Sequence, residues 1–220
     1  MTRIAIIDDC INPFFLRGNW RIINGKNGET YTRRFASEVI THSTIIAAII
    51  ESGINIQQAE LYNLVIKPSF EQNGSVLSLL RVVEWCIKNK IEIINLSLGS
   101  TAYNDQELLQ SLSNRLEEHK ICLVAATANN GQTTYPANFR NVIGVRYCDL
   151  LTADQHKYFQ KPSDGIEIIS GCPTNINQIC FDPCNSFATA IISSKVCNFY
   201  QTELNHPYDK TRKYLMDTAL

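Results

Sequence analysis

Short runs of aliphatic and β-branched residues alternate along the chain with longer stretches whose apolar positions recur every three to four residues. Residues 4–7, 61–66, 91–98, 122–126 and 141–145 carry few polar interruptions, the pattern of strands covered on both faces. Between them, 75–88 sets Val76, Leu79, Leu80, Val83 and Ile87 on one helical face, and 106–119 does the same with Leu108, Leu109, Leu112 and Leu116. Asn104 followed by Glu107 predicts a capping box at the start of the second helix. Segments 41–52 and 186–200 are apolar nearly all round and predict buried helices. Strands and helices in this alternation predict an α/β fold with a mainly parallel central sheet and helices on both faces. The least regular stretches, 12–38 and 147–184, read as binding loops. No repeat or linker divides the chain, so 1–220 reads as a single domain, its polar residues 201–220 as a loosely packed tail.

Composition narrows the function classes. With 45% hydrophobic and 19% charged residues, the 220-residue chain has the means to bury a core and is not disordered. Twenty basic residues against twenty-one acidic ones leave a net charge of −1 and no basic stripe, which argues against nucleic acid as a partner. No apolar run approaches the roughly 20 residues of a membrane span, so no membrane association is expected. The apolar stretch before Asp8 and Asp9 is too short for a secretory signal. Eight cysteines, mostly inside apolar patterns, then read as reduced thiols of a cytoplasmic protein. Cys172, Cys180 and Cys184 do not have the spacing of a structural zinc site, and neither metal nor cofactor is expected.

Asp8 and Asp9 end the first predicted strand, where open α/β sheets hold their ligands. A phosphoacceptor site with magnesium would need another aspartate soon after, but none occurs between Asp9 and Asp105. A dinucleotide-binding turn would need glycine, and Asp9-Cys10-Ile11-Asn12 has none. The third reading joins one of the acids to a histidine and a nucleophile. His119 ends an amphipathic helix, while His156 and His206 lie in polar irregular sequence; only His42 opens a strongly apolar helix. Ser186 stands before the other buried helix, whose first N–H groups and dipole favour negative charge. Ser186 or Asn185 would equally serve there as an ordinary N-cap. Asn129, just after the strand 122–126, is a turn residue in Asn-Asn-Gly or an amide donor for an oxyanion.

These blocks stand in a familiar order. The strand 4–11, His42-Ser43-Thr44, Ile94-Asn95-Leu96-Ser97-Leu98-Gly99, the segment 125–131 followed by Tyr135-Pro136-Ala137, and Ser186-Phe187-Ala188-Thr189 together resemble the subtilisin-like serine peptidases, or subtilases. The resemblance implies a three-layer subtilisin-like fold and a serine endopeptidase. It assigns Ser186 as nucleophile, His42 as general base, Asp8 as the carboxylate that orients it, and Asn129 as oxyanion donor. It places an extended substrate along Ser97, Leu98 and Gly99, with Gly99 letting its backbone approach closely. Ala125, Ala126 and Thr127 are to line the primary pocket. The chain departs from the family where Asp8-Asp9-Cys10 replaces Asp-Ser-Gly, His42-Ser43-Thr44 replaces His-Gly-Thr, and Thr127-Ala128-Asn129 replaces Ala-Gly-Asn. Cys184-Asn185-Ser186 replaces Gly-Thr-Ser, with Ala190 at the family's proline. The alternative implied is an inactive peptide-binding module on the same scaffold. Small size, no pro-segment and no calcium loop in 51–60 resemble maturation peptidases, which cut leaders from modified precursor peptides beside a partner modifying enzyme.

Overall fold

The computed structural model describes residues 1–31, 38–66, 74–160, 162–203 and 207–220. Its main sheet contains β1 (Thr2–Asp8), β2 (Trp20–Asn24), β3 (Ala59–Val65), β4 (Ile93–Leu96), β5 (Cys122–Ala126), β6 (Ile143–Tyr147), β7 (His156–Tyr158) and β8 (Ile168–Ser170). The order across the sheet is β2-β3-β1-β4-β5-β6-β8-β7, and every neighbouring pair is parallel except β7 with β8. Helices α1 (His42–Ser52) and α4 (Asn185–Thr202) cover one face; α2 (Gly74–Lys88) and α3 (Gln106–Glu118) cover the other.

Alternation along β1 produces these layers. Ile4 and Ile6 pack with Ile46, Ile49, Ile192 and Val196 of α1 and α4, whereas Ala5 and Ile7 pack with Val83, Leu109 and Leu112 of α2 and α3. Ile46, Ile49 and Ile50 are wholly buried, each contributing about 1.5–3 kcal/mol by leaving water. The same alternation sets Asp8 on the face of Ile4 and Ile6, towards α1. β1 lies between β3 and β4, so the connections diverge beside it, and its C-terminal end is the switch point where such sheets bind ligands.

Several local expectations differ from the structure. β4 stops at Leu96, and β6 runs two residues later than its predicted span. Tyr103–Asp105 forms a 3-10 turn before α3, and Asp105 takes the N-cap position with no side-chain bond to the helix. The expected box of Asn104 and Glu107 does not form because Asn104 lies inside that turn, one residue before the N-cap. The irregular stretch 12–38 contains β2, an edge strand flanked by Gly18 and Gly25, too short and mixed to show as an apolar run. Stretch 147–184 contains β7, β8 and the small hairpin β9 (Asn175–Ile176) and β10 (Ile179–Cys180).

The last twenty residues are not loose where they are described. α5 (Pro207–Asp217) buries Thr211 and Leu215, and His156 Nε2 donates to Leu215 O at 2.8 Å. Arg212 pairs with Glu167 at 3.0 Å and donates to Arg140 O and Val142 O. The segment looked loose because few apolar positions anchor it; ion pairs and carbonyl contacts supply the rest. His206 lies outside the described residues. No disulfide joins the eight cysteines, and among the described residues no helix is long and apolar enough to cross a membrane.

Candidate active site

The two acids after β1 divide their work. Asp8 Oδ2 receives the proton of His42 Nδ1 at 2.8 Å, while its Oδ1 accepts the Asp9 N–H, also at 2.8 Å. Asp9 turns to the start of α1: its Oδ1 accepts Ser43 N at 2.9 Å and its carbonyl accepts the Ser43 hydroxyl at 2.8 Å. A carboxylate on the free N–H groups of a first turn is favourable, and the hydroxyl gives a reason for serine after the histidine. The N-cap Thr41 accepts Thr44 N and donates to Cys10 O at 2.9 Å, which pins the helix start to the chain leaving β1. Asp8 is buried, and the His42 side chain remains 37% exposed. The Phe187 ring packs 5.1 Å from the imidazole.

Burial opposes a charged imidazole, but hydrogen bonds with Asp8 and Cys184 and their negative charge outweigh it, raising the His42 pKa to about 10. A folded-state pKa above the unfolded value near 6.5 makes protonated His42 a stabilising group below that value. This contribution fades as pH rises through about 10. Thermal midpoints between pH 6.5 and pH 10 should therefore fall more steeply for the wild type than for His42→Ala. Parallel slopes for the two proteins would contradict the pairing.

The start of α4 is built from three successive residues. Cys184 is its extended N-cap and makes no side-chain capping bond. Neither Asn185 nor Ser186, the two N-cap candidates, takes the cap position; Asn185 is the first helical residue, buried between the ends of β5 and β6. Its NH2 donates to Thr127 Oγ1 at 2.9 Å, Ala128 O at 3.0 Å and Thr127 O at 3.1 Å, and its oxygen accepts Tyr147 N at 2.8 Å. An asparagine's reach to two distant strand ends leaves no mark in local sequence, so this residue was missed. Asn185→Ala leaves several buried partners unpaired and should cost about 2–3 kcal/mol of stability in urea unfolding. A loss below about 0.5 kcal/mol would show that the clamp contributes little.

Asn129 is exposed, and its Oδ1 accepts Asn185 N at 3.1 Å. The amide oxygen is thus committed, and the NH2 is the end left for a ligand. Ser186, the second residue of α4, is 9% exposed, and among the described residues its hydroxyl has no hydrogen-bond partner. Among the described residues no hydrogen bond joins the Ser186 hydroxyl to His42. The structure joins Asp8 and His42 directly and sets Ser186 in the first turn of α4, whose Phe187 packs on the imidazole.

Ser97, Leu98 and Gly99 follow β4 and are partly exposed. Ser100 and Tyr135 exchange two backbone hydrogen bonds, at 2.9 and 2.8 Å. A Cβ at Gly99 would lie 2.5 Å from Thr134 Cγ2 and 2.8 Å from Tyr135 O. Glycine is therefore required here by the chain's own 134–135 segment, a different reason from the substrate approach expected of it. Ala126 and Thr127 lie at the end of β5 with Thr127 fixed by Asn185, but Ala125 is fully enclosed in the core on the α2 and α3 side. Its side chain lines no surface pocket. Among the described residues no group of three His, Cys, Asp or Glu side chains is placed to hold a metal ion.

The chain is similar to several known proteases. The chain is 32% identical over 187 residues to the minor extracellular protease Epr of Bacillus subtilis, covering 79% of this chain and 27% of that protein. It is 27% identical over 136 residues to subtilisin Savinase of Lederbergia lenta, covering 59% of this chain and 49% of the relative. The chain thus spans about a quarter to a half of the length of these relatives. Among solved structures, the prenylagaramide maturation protease PagA superposes with a TM-score of 0.63 at 19% identity, covering 96% of this chain and 81% of that one. The self-cleaved protease domain of PatA gives 0.65 at 20% identity, covering 96% and 86%. At such identities these two show a shared fold. The profile of the Subtilase family matches residues 2–220, and the chain belongs to that family.

Proposed function

We propose that the protein is a subtilisin-like serine endopeptidase in which Ser186 attacks the scissile carbonyl, His42 in its neutral form takes its proton, and Asp8 fixes the imidazole tautomer. The observation that carries this reading is the 2.8 Å hydrogen bond between Asp8 and His42, at the switch point of the sheet and beside the start of α4. Asn129, its oxygen tied to Asn185 N, offers its NH2 to the oxyanion together with the Ser186 backbone N–H. An extended peptide adds along Ser97–Gly99 by main-chain hydrogen bonds. Fluorophosphonate labelling tests the assignment: wild-type protein incorporates one probe at Ser186, and Ser186→Ala incorporates none. Folded wild type that takes up no probe anywhere between pH 7 and pH 10 would refute it.

The proposed substrate is a precursor peptide, from which the enzyme removes a leader segment, with a peptide-modifying enzyme as partner. Two structural relatives, the maturation protease PagA and the protease domain of PatA, support that direction. Eight cysteines with no disulfide suit a cytoplasmic location. One observation favours a second reading, a peptide-binding module without turnover: the Ser186 hydroxyl has no hydrogen bond to His42. The probe experiment separates the two.

A further inference from the structure

An asparagine followed by glycine can cyclise, because the missing Cβ lets the glycine nitrogen reach the side-chain carbonyl carbon. Among the described residues the chain has three such pairs, 24–25, 27–28 and 130–131. In each the asparagine Oδ1 accepts the N–H two residues on, from Lys26 at 2.9 Å, Glu29 at 3.2 Å and Gln132 at 3.2 Å. The glycine nitrogens differ. Gly25 N donates to Val65 O at 3.0 Å, and a Cβ there would lie 2.7 Å from the same oxygen. Gly28 N donates to Asn24 O at 2.8 Å, and a Cβ there would lie 2.7 Å from the Trp85 ring. Gly131 N makes a longer bond, 3.3 Å to Ala128 O, in an exposed turn where among the described residues a Cβ would meet nothing within 4 Å. Charge separates the pairs as well. Asn27 Nδ2 donates to the Glu29 carboxylate at 2.7 Å, which opposes loss of a proton nearby, whereas Asn130 Nδ2 donates to the neutral Gln132 Oε1 at 2.9 Å.

We propose that Asn130–Gly131 is a self-modification site, at which the Asn130 amide is lost and a carboxylate appears one residue beyond Asn129. The effect of that charge on turnover rests on the function proposed above; the loss of the amide does not. Gly131 N gives its proton to hydroxide and bonds to Asn130 Cγ. The Cγ–Nδ2 bond breaks, Nδ2 takes a proton from water, and ammonia leaves behind a cyclic imide. Water then opens the imide at either carbonyl, giving aspartate or a main chain that runs through Cγ and is longer by one carbon. The sum is one water consumed and one ammonia released, with no oxidant or reductant. Both products set a negative charge beside the Asn129 NH2 that is to hold the oxyanion, and like charges repel.

Peptide mapping by mass of folded protein aged at pH 8 reads the three pairs side by side, a comparison that needs no variant. Amide loss at Asn130 should run at least about five-fold faster than at Asn27, the factor that one net hydrogen bond supplies, and faster still than at Asn24. Gly131→Ala should bring Asn130 down to the rate of Asn27 or below. Asn130→Asp, the product made in advance, should take up fluorophosphonate about three-fold more slowly than fresh wild type. Aged wild type should slow in step with the fraction converted, and aged Gly131→Ala should not. Equal amide loss at the three pairs, or no dependence on Gly131, would overturn the site. Undiminished probe uptake by Asn130→Asp and by aged wild type would overturn its effect on the oxyanion. Fresh wild type that takes no probe defeats the serine assignment instead, and the mapping rates decide the modification by themselves.

Discussion

His42→Ala should lower kcat/KM for peptide hydrolysis by about 10⁴-fold or more, because members of such a triad act as a unit and what survives comes from binding and the oxyanion donors. The imidazole bonds to the Asp8 carboxylate and packs on Phe187 at the start of α4. The helix itself should survive the change, since its start is held by Thr41, Ser43 and Asp9 and its body by buried isoleucines. Steady-state assays on folded variant would decide the matter, and a loss under about ten-fold would remove His42 from the chemistry.

Asp8→Asn should cost about 10⁴-fold in kcat with little change of fold. The reason lies in the hydrogen-bond inventory of the carboxylate. Asp8 accepts at both oxygens, from Asp9 N and from His42 Nδ1. An asparagine there keeps its oxygen on the Asp9 N–H and turns its NH2 to Nδ1, which must then accept. The ring proton moves to Nε2, and that nitrogen can no longer take a proton from a nucleophile. The His42 pKa should also drop, because the first of the partners that raise it is gone. A pH–rate profile checks both effects together; unchanged kcat would mean that tautomer control is not what Asp8 does.

The layered architecture was legible because burial on two faces writes long apolar runs, as in β1 and β5, and one-face burial writes the spacing of Val76, Leu79 and Val83. β2 was not legible, since an edge strand of five residues alternates too briefly, and its partner β3 is separated from it by α1. The capping box at 104–107 failed because a 3-10 turn over 103–105 takes up Asn104 and moves the helix start to Asp105. At the site, Asp8 and His42 were found from a strand end and a helix start that each carry one chemical group. The packing of Phe187 on the imidazole depends on how α1 and α4 meet, which no local pattern encodes. Ala125 went wrong by one step of strand alternation, which sends its side chain inward.

Glu51, in the last turn of α1, is wholly enclosed and accepts hydrogen bonds from Gly18 N and Arg17 N at 2.8 Å and Trp20 Nε1 at 2.7 Å. With Asp9 at the other end, the histidine-bearing helix is tethered by carboxylates at both tips, one to the reactive rim and one to the outermost strand. The imidazole therefore hangs from a beam fixed at two supports rather than from a cantilever. Damage to the outer edge of the sheet, far from any bound peptide, would be felt at the reactive rim as lost alignment.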